Sequence, residues 1–247
     1  MVVNGEPGDL ISIRDRGPLY GDGVFRTLLA VQGKAQHWPL HYQKLQHDCF
    51  ALGIACPDIG MLSAGLDGLL ANHPDGVLKL AVTRGQGSRG YTPEYRGHST
   101  RFWDISPLPD YPPDLAIHVM KARLCKLRLG RQPRHAGIKH LNRLENVLPA
   151  AECNDACLLD PGISESILQH AEGNFIERNR VINWSEQHNM PLKIRNVGLN
   201  ELRQADELFV VNSIIGLWPI REFAQHHWTG FPISMQIRQN LSKEYAN

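Results

Sequence analysis

The sequence predicts a mixed α and β protein built as two subdomains. Strand-like and helix-like patterns alternate through the first hundred residues, which marks a mixed class rather than an all-α or all-β one. Ser106-Pro107-Leu108-Pro109-Asp110-Tyr111-Pro112-Pro113 carries four prolines in eight residues. Proline fixes φ and removes a donor, so this stretch cannot join a regular element and reads as a linker. At 247 residues, 42% hydrophobic and 21% charged, the chain can bury a substantial core on each side of it. The expected division is residues 1–105, a linker at 106–114, and residues 115–247. A cleft between two subdomains is the default place for a site.

The elements follow from periodicity. In His41 to Leu52, Leu45, Cys49 and Leu52 fall at helical spacing and predict an amphipathic helix. Val77-Leu78-Lys79-Leu80-Ala81-Val82-Thr83 is apolar and β-branched, as a mostly buried strand is. Leu115 to Ala122 reads as a strand. Asn142 to Glu152 reads as a helix through Leu144, Val147, Leu148 and Ala151, which Pro149 should kink or shorten. Leu208-Phe209-Val210-Val211 predicts another buried strand, and Ile233, Ile237 and Leu241 a last helix.

Composition removes several function classes. Lys plus Arg (26) balances Asp plus Glu (25), so no electrostatic pull toward nucleic acid or a membrane surface is expected. The five cysteines form no Cys-x-x-Cys pair, which argues against a zinc site or a disulfide framework and for a reduced, cytoplasmic protein. Neither a secretory leader nor a bilayer-spanning apolar run is seen. No metal is expected, since the twelve histidines show no His-x-x-x-His or carboxylate pairing in a metal-like context; His226-His227 reads as a solvated loop pair. Trp184, Trp218 and Trp228 read as core or interface aromatics.

Two motifs remain. Gly85-Gln86-Gly87-Ser88-Arg89-Gly90 fits G-x-G-x-x-G after a strand, but Tyr91-Thr92-Pro93 follows where a dinucleotide site needs a helix to begin. It reads instead as a loop whose glycines let backbone approach a ligand. Lys139, in Ala136-Gly137-Ile138-Lys139-His140-Leu141-Asn142-Arg143-Leu144-Glu145, ends a short apolar stretch just before a helix. By spacing alone it could be a surface lysine. Partly desolvated, it could instead present a neutral amine for Schiff-base chemistry.

Gly137-Ile138-Lys139-His140-Leu141-Asn142-Arg143-Leu144 resembles the cofactor-lysine signature of the aminodeoxychorismate lyases. These belong to the fold type IV pyridoxal 5'-phosphate (PLP) enzymes, with branched-chain and D-amino-acid transaminases. Other blocks resemble the same family in order: Asp15-Arg16-Gly17, Tyr20-Gly21-Asp22-Gly23-Val24-Phe25, Arg84 to Tyr91, Leu127 to Pro133, Ala205 to Ser213, and Gly216-Leu217-Trp218-Pro219-Ile220. The resemblance implies an α+β fold of two subdomains, the active site in the cleft between them, PLP on Lys139, and a homodimer. It also implies conversion of 4-amino-4-deoxychorismate to 4-aminobenzoate and pyruvate, a step towards folate. A transaminase on the same scaffold is the alternative, and a non-catalytic PLP-fold protein a second.

Residue by residue, the resemblance makes Lys44 the counterpart of the family's phosphate arginine, as a point charge in place of a planar fork. It makes Glu165 the partner of the pyridine nitrogen, with Glu172 competing. It puts Asn212 and Ser213 near the phosphate, and Tyr20, Arg84, Arg89 and Tyr91 where they could orient substrate carboxylates. The chain departs from the family pattern between Gln169 and Phe175, where a hairpin and a glycine-bearing turn are missing.

Overall fold

A computed structural model of the 247-residue chain describes residues 1–93, 98–110, 120–127, 133–155 and 176–243. Two compact units result. One comprises Met1–Leu108 and Gln132–Arg143; the other comprises Pro109–Arg131 and Leu144–Asn247. The break between Leu108 and Pro109 falls inside the proline-rich segment.

The first unit runs β1 (Val2–Val3), β2 (Glu6–Pro7), α1 (Arg16–Tyr20), β3 (Gly23–Val31), β4 (Lys34–Ala35), α2 (Trp38–Leu52), α3 (Ile59–Asn72), β5 (Gly76–Thr83) and β6 (Thr100–Ser106). Its sheet has the order β2-β1-β6-β5-β3-β4, with every pair antiparallel. β3 alternates as a half-covered strand should, with Val24, Arg26, Leu28 and Ala30 buried. Leu78, Leu80 and Val82 of β5 meet them, and Leu45, Leu62 and Leu66 from the helices close the core. A fully buried leucine contributes roughly 1.5–3 kcal/mol here. The helix expected over residues 41–52 begins earlier, at Trp38, because Pro39 is tolerated in a first turn.

One expectation is overturned. Lys139 was assigned to the second subdomain, yet its segment packs within the first unit. The cause is main-chain bonding: Phe25 N–H donates to Lys139 O (2.9 Å), and Leu141 N–H donates to Gly23 O (2.9 Å). His140 bridges Val24 in antiparallel fashion.

The second unit holds β7 (Met120–Ala122), α4 (Leu144–Asp155), α5 (Ile176–Gln187), α6 (Leu199–Arg203), β8 (Leu208–Asn212), β9 (Gly216–Phe223), β10 (His226–His227) and α7 (Pro232–Lys243). β9 organises it, pairing antiparallel with β8 and β10 and parallel with β7. Of the strand expected at 115–122, residues 115–119 lie outside the described ones. Pro149 does not end α4, which continues to Asp155. Proline removes one helical hydrogen bond, while Glu152 of that helix accepts Lys126 N–H (3.0 Å) and Leu127 N–H (3.4 Å), tying it down. β8 is half-buried rather than buried. Leu208 and Val210 face one apolar cluster and Phe209 and Val211 another. His226 and His227 pair as a short strand rather than forming a loop, and His226 lies against the Trp228 ring at 4.4 Å. Among the described residues no helix is long and apolar enough to cross a membrane.

Gly23 shows how tightly the lysine segment seats on β3. A Cβ there would meet Leu141 Cδ1 at 2.6 Å and the Val82 carbonyl oxygen at 2.8 Å. Gly23→Ala should therefore destabilise the first unit by about 1–3 kcal/mol, as overpacking does. The check is the urea-unfolding midpoint; an unchanged midpoint would show that the segment yields.

Candidate active site

The segment carrying Lys139 is held from several sides. Ile138 is buried, and the Lys139 main chain is locked to β3 by the bonds above. Arg143 folds back over the segment, donating from Nε to His140 O (3.0 Å) and from Nη2 to Ile138 O (3.1 Å). The Lys139 Nζ lies 4.9 Å from the centre of the Phe25 ring. An apolar ring under an ammonium or amine excludes water while still favouring the cation modestly.

Beneath this segment, α2 turns an unusual face to the sheet. His41, Lys44, Leu45, Asp48 and Cys49 are its buried residues, spaced as one helical stripe, so three polar side chains sit where an apolar stripe is the rule. Asp48 is fully buried and is their hub. It forms ion pairs with Arg26 of β3 and with Lys44 one turn earlier. Its Oδ2 also accepts the Lys139 main-chain N–H at 3.2 Å. Lys44 Nζ donates in addition to Gly137 O at 2.7 Å and sits 3.4 Å from His47 Nδ1. A buried charge is tolerated only when paired, and losing one partner of such a pair costs about 3–5 kcal/mol. Here one carboxylate faces two cations, so positive charge is in excess.

That excess and the burial shape the neighbours. Burial first, then Arg26, lowers Lys44 to about 8. Burial, with Arg26, Lys139 and His37 adding repulsion, pushes His41 down to about 3. The His41 imidazole is therefore neutral at physiological pH. Burial, then Arg143 and His135, takes His140 to about 4. Arg26 Nε and His41 Nδ1 are buried without a hydrogen-bond partner. Unsatisfied buried polar atoms of this kind need an explanation.

The N-terminal motif and the glycine-rich loop form one structure. Asp15 caps α1, accepting Gly17 N–H at 2.8 Å and the Thr83 hydroxyl at 2.9 Å. Arg16 is buried and donates to Asp22 Oδ2 (2.8 Å), Gly90 O (2.9 Å) and Tyr91 O (3.0 Å). Arg16 N–H donates to Gly85 O at 2.9 Å, and Asp15 bridges Gln86. Gly85 has φ of +85°, and a Cβ there would strike His98 O at 2.1 Å, so glycine is required. No helix begins through Pro93, as Pro93 predicts.

These contacts sort the expected substrate-orienting residues. Tyr20 and Tyr91 come together edge to face, 5.5 Å between centres, and Arg89 is exposed nearby in sequence. Arg84 does not join them. Its guanidinium donates to Asp22 Oδ2 (2.8 Å), Gly53 O (2.6 Å) and Leu52 O (2.7 Å), closing the carbonyl end of α2. A cation suits a helix C-terminus, which explains its commitment there. Asp22 lies between Arg84 and Arg16; burial raises its pKa, but the two guanidinium groups outweigh that and hold the carboxyl low.

In the second unit, Asn212 Oδ1 accepts Ile214 N–H (2.8 Å) and Ile215 N–H (2.9 Å), so it builds the turn between β8 and β9. Ser213 sits half-buried in that turn. An open groove of about 440 Å³ in this unit is lined by Arg178, Ile182, Lys193, Arg195 and Phe209 among others, and by neither Asn212 nor Ser213. Glu165 and Glu172 lie outside the described residues.

The sequence reading missed Arg26, His41 and Asp48. The signal was present: Arg26 occupies an inward position of an alternating strand, and His41 and Asp48 share the stripe of Leu45. Charged residues on an apolar stripe mark a buried polar cluster.

His41 and His140 stay neutral when folded but take a proton near pH 6.5 when unfolded. The unfolded state then binds more protons, so stability falls as pH drops from about 6.5 towards 4. Chemical unfolding at pH 7 and pH 5 should show this loss, and His41→Leu should lessen its slope. An unaltered slope in that variant would mean His41 titrates normally.

Comparison with known proteins places this geometry. The amino-transferase class IV model matches residues 23–177 and 174–223, two stretches that overlap at 174–177. An aminodeoxychorismate lyase of Vibrio harveyi is 26% identical over 96% of both chains. A D-alanine aminotransferase of Listeria innocua is 26% identical over 85% of this chain and 81% of its own. Among solved structures, 4-amino-4-deoxychorismate lyase from Pseudomonas aeruginosa superposes with a TM-score of 0.87 at 34% identity, covering 98% of this chain and 97% of that one. The chain belongs to the amino-transferase class IV family.

Proposed function

We propose that this chain is a PLP-dependent lyase that converts 4-amino-4-deoxychorismate to 4-aminobenzoate and pyruvate. The observation that carries the reading is the placement of Lys139: its main chain is fixed on β3, and its amine sits over Phe25 beside a buried cluster with surplus positive charge. Similarity to lyases from Vibrio harveyi and Pseudomonas aeruginosa over nearly the whole chain supports the reaction type.

The residues suit the cofactor. An aldehyde needs an amine held in place, and a phosphate needs cations; Lys139 supplies the first. Lys44 and Arg26, with the unsatisfied Arg26 Nε, supply a field for the second. By family likeness, the Ser213 hydroxyl would add a hydrogen bond to the phosphate. The Asn212 side-chain oxygen stays with its turn, so that residue would contribute through its backbone. Glu165 is the proposed partner of the ring nitrogen, with Glu172 as the alternative. When bound, PLP withdraws electrons from the carbon bearing the substrate's amine.

Lys139 Nζ then does the proton work. It takes the proton from the amine-bearing ring carbon and returns one to the departing enolpyruvyl carbon, which leaves as pyruvate. The bond to the ether oxygen breaks as the ring becomes aromatic, so no external oxidant or amino acceptor enters. Phe25 shields that amine from water. Tyr20 and Tyr91, with Arg89, would orient the two substrate carboxylates. By family likeness the working form is a homodimer, in the cytoplasm.

A transaminase is the second reading, favoured by the likeness to the Listeria innocua aminotransferase. Incubation with aminodeoxychorismate alone separates the two: the lyase releases pyruvate without any keto acid, and turnover that requires a keto acid would reverse the assignment. Lys139→Ala should abolish both pyruvate release and the violet absorbance band that borohydride bleaches. A band that survives in that variant would move the cofactor elsewhere.

A further inference from the structure

We infer that Asp48 is the positioning residue for Lys139, holding its main chain in place and setting the charge around it. The inference rests on the proposed role of Lys139 as the cofactor lysine.

Both main-chain polar groups of Lys139 are taken up by rigid elements. Its C=O accepts Phe25 N–H of β3 at 2.9 Å, and its N–H donates to Asp48 Oδ2 of α2 at 3.2 Å. With donor and acceptor both fixed, the direction in which the side chain leaves the backbone is set, and only side-chain torsions remain free. Gly137, two residues earlier, is fixed through the same cluster, since Lys44, paired with Asp48, donates to its carbonyl oxygen at 2.7 Å. Asp48 thus reaches the segment directly and through Lys44.

The carboxylate itself cannot wander. It is fully buried, and its oxygens are shared among Arg26, Lys44 and the Lys139 N–H, with His47 Nδ1 at 3.2 Å from Oδ1. Groups facing this site are Arg26 from β3, His41, Lys44 and His47 from α2, and Arg143 from the lysine segment. Asp48 is the carboxylate bonded within that set. Its removal would release a main-chain tether and leave the cations unopposed, two effects that can be separated.

Two variants separate them. Arg26→Gln/Asp48→Ala keeps the net charge but deletes the acceptor. Asp48→Asn keeps an acceptor and deletes the charge. Hydrogen exchange read by mass spectrometry on the cofactor-free protein should show amides at 138–141 exchanging at least about tenfold faster in the double variant, while those of β5 stay protected. Asp48→Asn should retain protection at 138–141 and move the pH midpoint of the cofactor band downward, because nearby positive charge disfavours a protonated group.

Exchange at 138–141 within about twofold of wild type, in a double variant with protected β5 amides, would overturn the inference. Should that variant fail to fold, an unmoved band midpoint in Asp48→Asn would overturn it instead. Borohydride reduction of the wild type with PLP reports on the underlying reading separately. Lack of an adduct on the Lys139 peptide would reject the proposed function, while faster exchange at 138–141 would still uphold the grip of Asp48 on the segment.

Discussion

Three residues at the start of β3, Gly23, Val24 and Phe25, are hydrogen-bonded along both edges at once. On one edge they pair with Ala81 to Thr83 of β5, and on the other with the segment around Lys139. A strand edge can serve one neighbour at a time, so this arrangement leaves the lysine segment no freedom of register. A residue distant in sequence becomes as fixed as a member of the sheet. The glycine at position 23 is what lets the chains approach closely enough.

The same geometry brings charge into the core. Because β3 places Arg26 inward, and α2 places Lys44 and Asp48 on the stripe that covers it, the first unit contains an ionic cluster in which one carboxylate faces two cations. Such clusters are poor sources of stability, since desolvation consumes most of the attraction. Their retention in a small core makes sense where an anionic ligand completes the balance. Lys44 and His41 both respond by releasing protons more readily than they would in water.

Much of this was legible in the sequence, and the failures have physical causes. The strand at 77–83 and the helix ending at Leu52 stood out because apolar periodicity is a short-range signal. The ordered motif blocks pointed to the family that the comparison then identified. Lys139 was placed in the wrong unit because the chain, after the prolines, returns to the first sheet, and a return of this kind leaves no local trace. Arg84 and Asn212 were expected beside substrate and phosphate by family likeness, which carries no information on where their side chains bond. Folding instead commits the one to the end of α2 and the other to its own turn. Arg26 and Asp48 escaped notice because single charges in an apolar pattern look like interruptions until strand and helix are brought face to face.

Asp22 carries a consequence for how this sequence can drift over generations. Its one Oδ2 atom serves both Arg16 and Arg84, and through them it joins the N-terminal motif, the end of α2 and the backbone at Gly90 and Tyr91. Replacing Asp22 deprives both guanidinium groups of their carboxylate, while replacing either arginine leaves the other on Asp22, so the carboxylate is the position least open to a neutral single step. Viable descendants should keep that carboxylate wherever both arginines remain.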